Sequence, residues 1–183
     1  MDIREQITQE VAGITPLDVV EEAHQKEVLH WIGSGEEIFR IEKPATPYRH
    51  IVSYFVVVDG DHMLLVDHIK GQCWLPSGGH VDPGEHPQET VKRECMEELF
   101  MPAQFLTEKP LMLTVTKTVG IPPVHEDVSL WYVLKGDRSQ EVKYAADEFD
   151  GVKWFHFNDV PLDQGDPHME RFLQKLRNFR EGQ

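Results

Sequence analysis

Between residues 79 and 98 the chain carries six acidic side chains and one arginine, and three of the acids, Glu94, Glu97 and Glu98, fall at i, i+3 and i+4. On a helix of about 3.6 residues per turn these three share one face, so any helix here must hold like charges on adjacent turns. Uncompensated, each such pair costs an exposed helix a few tenths of a kcal/mol, and more when partly buried. A divalent cation reverses that sign, and Arg93 adds a positive neighbour. Hard carboxylate oxygens suit magnesium or manganese, whereas zinc favours imidazole and thiolate. The competing account is a solvated face, the usual fate of a bare charge run on a helix.

The residues before the run favour the metal. Pro76-Ser77-Gly78-Gly79 follows an apolar stretch, and Asp82-Pro83-Gly84-Glu85 makes a tight turn ending on an isolated carboxylate. Gly78 and Gly79 permit close backbone approach or a positive φ, which makes the Gly79 carbonyl available as a further oxygen ligand.

From Gly79 the pattern runs through five residues to Glu85, seven more to Arg93-Glu94, then Glu97-Glu98, and closes on the apolar Met101. This string resembles the signature of the Nudix hydrolase superfamily, here spanning residues 79–101. Two positions depart from it. Cys95 replaces an aliphatic residue, a mild change because a free cysteine behaves as a small buried hydrophobe. Phe100 replaces the glycine that ends the helix; a phenylalanine in left-handed geometry costs about 1 kcal/mol or more. Pro102 offers another stop by biasing Met101 away from helical geometry.

The resemblance implies an α/β fold, an α/β/α sandwich around a mixed sheet, over residues 48–183, with residues 1–47 left as an amino-terminal helical extension. It also implies a divalent-metal-dependent hydrolase that cleaves a phosphoanhydride of a nucleoside triphosphate, or of a nucleoside diphosphate linked to another moiety, with Mg2+ or Mn2+ as cofactor. Glu94, Glu97, Glu98 and the Gly79 carbonyl become the metal ligands, Glu94 and Glu98 act in catalysis, and Glu94 is a candidate general base. Glu85 and Arg93 stand behind them, the arginine as a bidentate clamp. Glu148, six residues before Trp154, occupies a region where some family members carry a further catalytic glutamate; its plain reading is a loop carboxylate beside Asp147. Glu126 and Asp127, just before a strand, are further acids that can face the site.

Substrate contacts are harder to assign. Arg49, Lys70 and Lys117 are candidates for phosphate, each otherwise a solvated charge, and Trp131, with Trp74, Tyr132 and Phe55, for stacking on a base, although strand aromatics are more often core. The proline typical of ADP-ribose subfamilies and the tyrosine typical of dinucleoside-polyphosphate subfamilies are both missing from Thr116-Lys117-Thr118, and Pro122-Pro123 comes too late. The alternative is a catalytically inactive nucleotide or metal sensor on the same fold. Retention of every carboxylate argues against it.

Charge narrows the partners. With 18 basic against 32 acidic residues the formal charge is -14, so long nucleic acid and anionic membranes are poor unaided partners, and a small nucleotide needs metal ions to approach this surface. No apolar segment is long enough to span a bilayer and the amino terminus does not resemble a signal peptide, so a cytoplasmic location is expected, with Cys73 and Cys95 reduced. The ten histidines are scattered and read as surface or core residues.

Along the chain, Thr15-Pro16 is expected to start a helix whose face is Leu17, Val20, His24, Val28, Trp31 and Ile32, with Gly33 as its stop. Ser34-Gly35-Glu36-Glu37 has the form of a capping box for a short second helix through Phe39. These helices are expected to pack on the domain or, in a homodimer, on a second subunit, with covering of the substrate as the lesser alternative. Residues 43–47 read as a linker. Residues 50–58 and 63–66 read as a hairpin about Asp59-Gly60-Asp61, 73–75 as a short strand, 86–99 as the acidic helix, and 105–119, 128–134 and 152–157 as strands. Asp166-Pro167 precedes a last helix with Phe172, Leu173, Leu176 and Phe179 inward.

Overall fold

Valine, isoleucine and aromatic residues fill the stretch Arg49–Asp59, which suits a pleated, enclosed strand, and there the chain forms its longest one. The computed structural model describes residues 2–43, 46–118 and 125–182. In chain order its elements are α1 (Ile3–Gly13), α2 (Val19–Gly33), β1 (Arg49–Asp59), β2 (His62–His68), β3 (Cys73–Leu75), β4 (Ser77–His80), α3 (Pro87–Leu99), β5 (Met112–Lys117), β6 (Glu126–Lys135), β7 (Phe149–His156), a 3-10 turn (Leu162–Gln164) and α4 (Met169–Glu181). Pro44 and Ala45 of the expected linker, Val119 at the end of an expected strand, and Pro122-Pro123 lie outside the described residues.

All seven strands join one sheet in the order β3-β2-β1-β6-β5. β1 and β6 run parallel in register from Arg49↔Glu126 to Val58↔Lys135. The other edge of β1 is shared: β4 pairs antiparallel with Val52–Phe55 and β2 with Val57–Asp59. β7 lies antiparallel on β2. Both faces of β1 are buried, as expected for a strand covered on two sides. Ile51, Phe55 and Val57 pack with α1, α2 and α3, while Val56 and Val58 pack with Phe172, Leu173 and Leu176 of α4. The sheet is mixed and lies between helical layers, the expected α/β/α arrangement.

Several local expectations shift. α2 starts after Asp18, not at Thr15, because the Asp18 carboxylate accepts the N–H groups of Val20 and Glu21 at 3.0 and 2.9 Å and is held by Arg171. The short helix after Ser34 does not form. Gly35 turns the chain at φ 84, and Glu37 spends its carboxylate on the N–H groups of Ile38 and Phe39. β5 is shorter than expected, since Phe105 makes a single bridge to Leu134 before the chain bends through to Pro110. β4, expected only as a glycine turn, is a strand.

The amino-terminal helices are tied into the sheet by polar groups. β5 is the edge strand, and its free N–H groups at Leu113 and Val115 donate to Glu21 and His24 of α2 at 3.1 and 3.3 Å. Glu21 is fully buried and also receives Lys175 Nζ from α4 at 2.5 Å. Helix α2 thus covers an edge that would otherwise invite pairing with another chain.

Candidate active site

β4 threads between β1 and α3, and two glycines make that path passable. A Cβ on Gly78 would lie 2.2 Å from the Ser53 carbonyl oxygen, and one on Gly79 would lie 1.9 Å from Glu94 Oε1. The Glu94 carboxylate therefore rests directly against the Gly79 backbone. The helix presenting it begins with Pro87 at its first turn, where a missing N–H costs nothing, and ends at Phe100 with φ 51 and ψ 32. Phenylalanine takes the left-handed cap usually left to glycine, and its side chain is 56% exposed.

Arg93 organises the acids. Its Nε and Nη2 donate to the two oxygens of Glu85 at 3.1 and 3.0 Å, Nη1 donates to Glu94 Oε1 at 2.6 Å, and Nη2 reaches the His80 carbonyl at 3.3 Å. These bonds to Glu85, with the Glu94 charge, raise the guanidinium above its ordinary pKa. Burial works to raise the Glu85 carboxyl, but Arg93, the Thr90 hydroxyl at 2.7 Å and a backbone N–H hold it below the usual range. The pair forms a fixed base beneath the cluster.

Glu98 lies deepest, 5% exposed, accepting from the Ser77 hydroxyl and from Gly78 N–H. Burial, with the charges of Glu94 and Glu148, pushes its carboxyl up to about 8 despite those bonds. Burial likewise raises Glu94, against the pull of Arg93. Glu97 is mostly exposed, 3.6 Å from Arg93 Nη1. Glu148 sits exposed on a turn whose Ala145 N–H donates to the Glu98 carbonyl at 2.8 Å, near enough for its charge to act on Glu94 and Glu98. Glu94 thus lies against Gly79, Glu97 and Glu98 follow on the next turn of α3, and the charge of Glu148 acts on Glu94 and Glu98. Glu94 and Glu98, held above their ordinary range by burial and mutual repulsion, are oxygen donors that a hard dication relieves.

A NUDIX domain model matches residues 47–176. The chain belongs to the NUDIX family. Membership makes it a Nudix-type hydrolase acting on acid anhydrides, a class that uses divalent metals, and the carboxylate shell fits that use. Among solved structures, a NUDIX-family hydrolase from Clostridium perfringens superposes with TM-score 0.55 at 22% identity, covering 72% of this chain and 98% of that one. A MutT NUDIX hydrolase from Burkholderia pseudomallei gives 0.53 at 22% identity, over 68% and 95%. The dihydroneopterin triphosphate pyrophosphohydrolase of E. coli gives 0.51 at 15% identity, over 67% and 94%. Similarity at this level speaks for the shared fold. Among curated proteins none matches.

The residues proposed for substrate scatter. Trp131 is fully enclosed, stacked on Phe172 at 4.9 Å with its indole N–H on the Thr114 hydroxyl, so it belongs to the core on the α4 side and offers no face to a base. Arg49 is paired with Glu27 and Glu126 and lies over the Trp31 ring, which makes it a link between β1, β6 and α2. Lys70 is exposed in the turn between β2 and β3.

One constellation escaped the sequence. His50 of β1, His80 of β4, His125 just before β6 and Asp127 of β6 converge, with one ligand atom of each within 4.8 Å of all the others. Burial, with Arg40 beside it, pulls His80 down to about 3, so it is neutral near pH 7. Burial works to raise Asp127, but His125 and His50 outweigh it and hold the carboxyl at about 2. The only sequence signal was Asp127 itself. The histidines lie up to 75 residues apart (His50 to His125), and only the β1–β4 and β1–β6 pairings unite them.

Proposed function

We propose that this NUDIX protein is a Mg2+-dependent pyrophosphohydrolase, with Mn2+ able to substitute, acting on a nucleoside triphosphate or a nucleoside diphosphate linked to another group. We further assign catalysis to residues 48–183, with residues 1–47 as a helical extension, in a cytoplasmic enzyme. Among the described residues no helix is long and apolar enough to cross a membrane. The observation that carries the functional reading is the pair Glu94 and Glu98 on successive turns of α3, the first half-buried and the second buried, both pushed upward, with Glu94 held by the Arg93–Glu85 clamp.

Glu94, Glu97, Glu98 and the Gly79 carbonyl would hold the ion, which would supply positive charge against the pyrophosphate and acidify water at the site. Arg93 and Glu85 keep the Glu94 carboxylate in place, so that little reorganisation is needed as charge develops. Ser77 and Gly78 fix Glu98 from below. The proton of the attacking water passes to Glu94 or to Glu148; separate substitution by Gln tells them apart, since loss of the base lowers kcat most and changes its pH profile. Lys70, exposed in the turn whose Ile69 N–H donates to the Glu148 carbonyl at 3.0 Å, is a basic candidate for a phosphate.

The test is a substrate panel of nucleoside triphosphates, ADP-ribose, a sugar nucleotide and a dinucleoside polyphosphate, each with and without Mg2+. Metal-dependent turnover of at least one compound is expected, reduced about a hundredfold or more by Glu98→Gln. Binding without turnover across the panel would replace this reading with that of an inactive sensor.

A further inference from the structure

We propose that His50, His80, His125 and Asp127 form a second metal site, selective for a first-row transition dication of the zinc type and separate from the carboxylate shell. The donor separations suit a four-ligand site. His50 Nε2, His125 Nε2 and His80 Nε2 lie 3.4, 3.1 and 4.0 Å from Asp127 Oδ1, and the His80 and His125 Nε2 atoms are 3.5 Å apart. A tetrahedron with bonds of about 2.0–2.1 Å to nitrogen and oxygen has edges of about 3.4 Å. Three of these four separations lie close to that length, and the His80–Asp127 one, at 4.0 Å, is longer.

The hydrogen bonding points the same way. His50 is fully buried and its Nδ1 sits 2.8 Å from the Pro47 carbonyl, which can only accept, so Nδ1 carries a proton and Nε2 is the nitrogen left to bind an ion. That nitrogen faces Asp127 Oδ1 at 3.4 Å, and the two atoms do not complete a well-formed hydrogen bond with each other. With Nδ1 committed to Pro47, a cation between Nε2 and Oδ1, a proton or a metal ion, is what the pair needs. A backbone carbonyl on the far nitrogen is also the usual partner of a metal-bound imidazole. The Thr118 hydroxyl, 3.5 Å from His125 Nδ1, stands in the equivalent place on a second ring.

Ligand chemistry separates the two sites. Three imidazoles and one carboxylate suit zinc and its neighbours, while magnesium prefers an all-oxygen set. Strand alternation separates them in space: His50 shares parity with Val56 and Val58, and Asp127 with Trp131 and Val133, all on the α4 side, whereas the Cβ direction of Gly79 leads toward Glu94 on α3. With four protein ligands the site is closed, so the ion is structural and ties β1, β4 and β6 together. Arg40 competes for it. Its Nη1 lies 3.3 Å from His80 Nε2, and uptake of the ion turns the guanidinium toward Asp82 and Glu94, whose charges already act on it.

The experiment uses the full chain, stripped with chelator and titrated with Zn2+ in the presence of excess Mg2+, followed by calorimetry, bound-metal analysis and thermal melting. One Zn2+ per chain and a raised Tm are expected. His125→Gln should weaken binding at least tenfold, and Arg40→Ala should strengthen it, while Glu98→Gln should leave zinc stoichiometry at one. Circular dichroism confirms that each variant is folded. No zinc uptake by the folded wild-type chain overturns the proposal, and so does uptake that survives His125→Gln undiminished or vanishes in Glu98→Gln. The outcome for Arg40→Ala tests the same site without removing a ligand, and weaker binding there also counts against it.

Discussion

Gly78 and Gly79 are adjacent in one strand, yet replacing each by alanine should produce opposite phenotypes. At Gly79 the new methyl meets the end of a flexible side chain: Glu94 Oε1 at 1.9 Å and Cδ at 2.3 Å. The carboxylate can retreat, by about 1.5 Å, to reach ordinary contact. Stability should therefore fall by no more than about 1 kcal/mol, or roughly 2–4 °C in Tm for a chain of this size. Catalysis cannot tolerate the same shift, because misplacement of a catalytic group by about 1 Å costs on the order of a hundredfold, close to 2.7 kcal/mol in the barrier. At Gly78 the methyl instead meets backbone, the Ser53 oxygen at 2.2 Å and Tyr54 Cα at 2.9 Å, and β1 cannot withdraw without breaking its pairing. About 1–3 kcal/mol or more of stability should be lost there. Melting curves and kcat/KM, measured on both variants with the substrate found in the panel, decide the matter. If Gly79→Ala keeps full activity, or unfolds as readily as Gly78→Ala, the contact between Glu94 and the Gly79 backbone is not what positions the acid.

Three further substitutions probe the frame. Phe100→Gly should raise stability by about 1 kcal/mol, because glycine adopts the left-handed cap without strain and the phenylalanine is more than half exposed; an unchanged denaturation midpoint would show that the ring's packing matches the strain. Lys175→Met leaves Glu21 buried without its cation and should cost about 3–5 kcal/mol, with much of the loss recovered in Glu21→Gln/Lys175→Met; a single variant within 1 kcal/mol of wild type in urea would refute this. The hydrogen bonds from Arg171, with the helix N–H groups, hold Asp18 down at about 2, below the usual aspartate value of about 3.9. A lowered carboxyl contributes stability that is full above the unfolded value and is lost as pH falls through the folded one. The advantage of wild type over Asp18→Asn should accordingly be constant above about pH 4 and shrink toward pH 2 in pH-dependent denaturation.

What the sequence conveyed well was local. The acidic helix depends on neighbours within one or two turns and lies where the spacing put it, while its exit, which the sequence left between Phe100 and Pro102, is at Phe100 in left-handed geometry. The strands rich in valine and aromatics were also legible, because a covered strand needs little beyond apolar residues. β4 was not, since Ser77-Gly78-Gly79-His80 has no apolar pattern and becomes a strand only through its partner β1. The start of α2 was misplaced because Asp18 has two helix N–H groups and Arg171 of a distant helix to bind, a combination that Thr15 lacks. Trp131 illustrates the same limit: an aromatic ring has the same composition in a core as in a binding wall, and only the packing of Phe172 against it decides.

The positions hidden from the sequence share one physical origin. Glu21 meets Leu113 across 92 residues and Lys175 across 154, so this buried ion pair is invisible in any local window. Yet that pair decides how residues 1–47 relate to the sheet. An appendage resting on the domain would bury apolar groups and leave the β5 edge to water; here α2 supplies acceptors to the edge N–H groups and an anion to α4, so it joins the layers on both sides of the sheet. Removing it would strand Lys175 and uncover β5 at once. The extension is thus bound to the NUDIX domain by the two kinds of group that folded proteins least tolerate unpaired, a buried charge and an open strand edge.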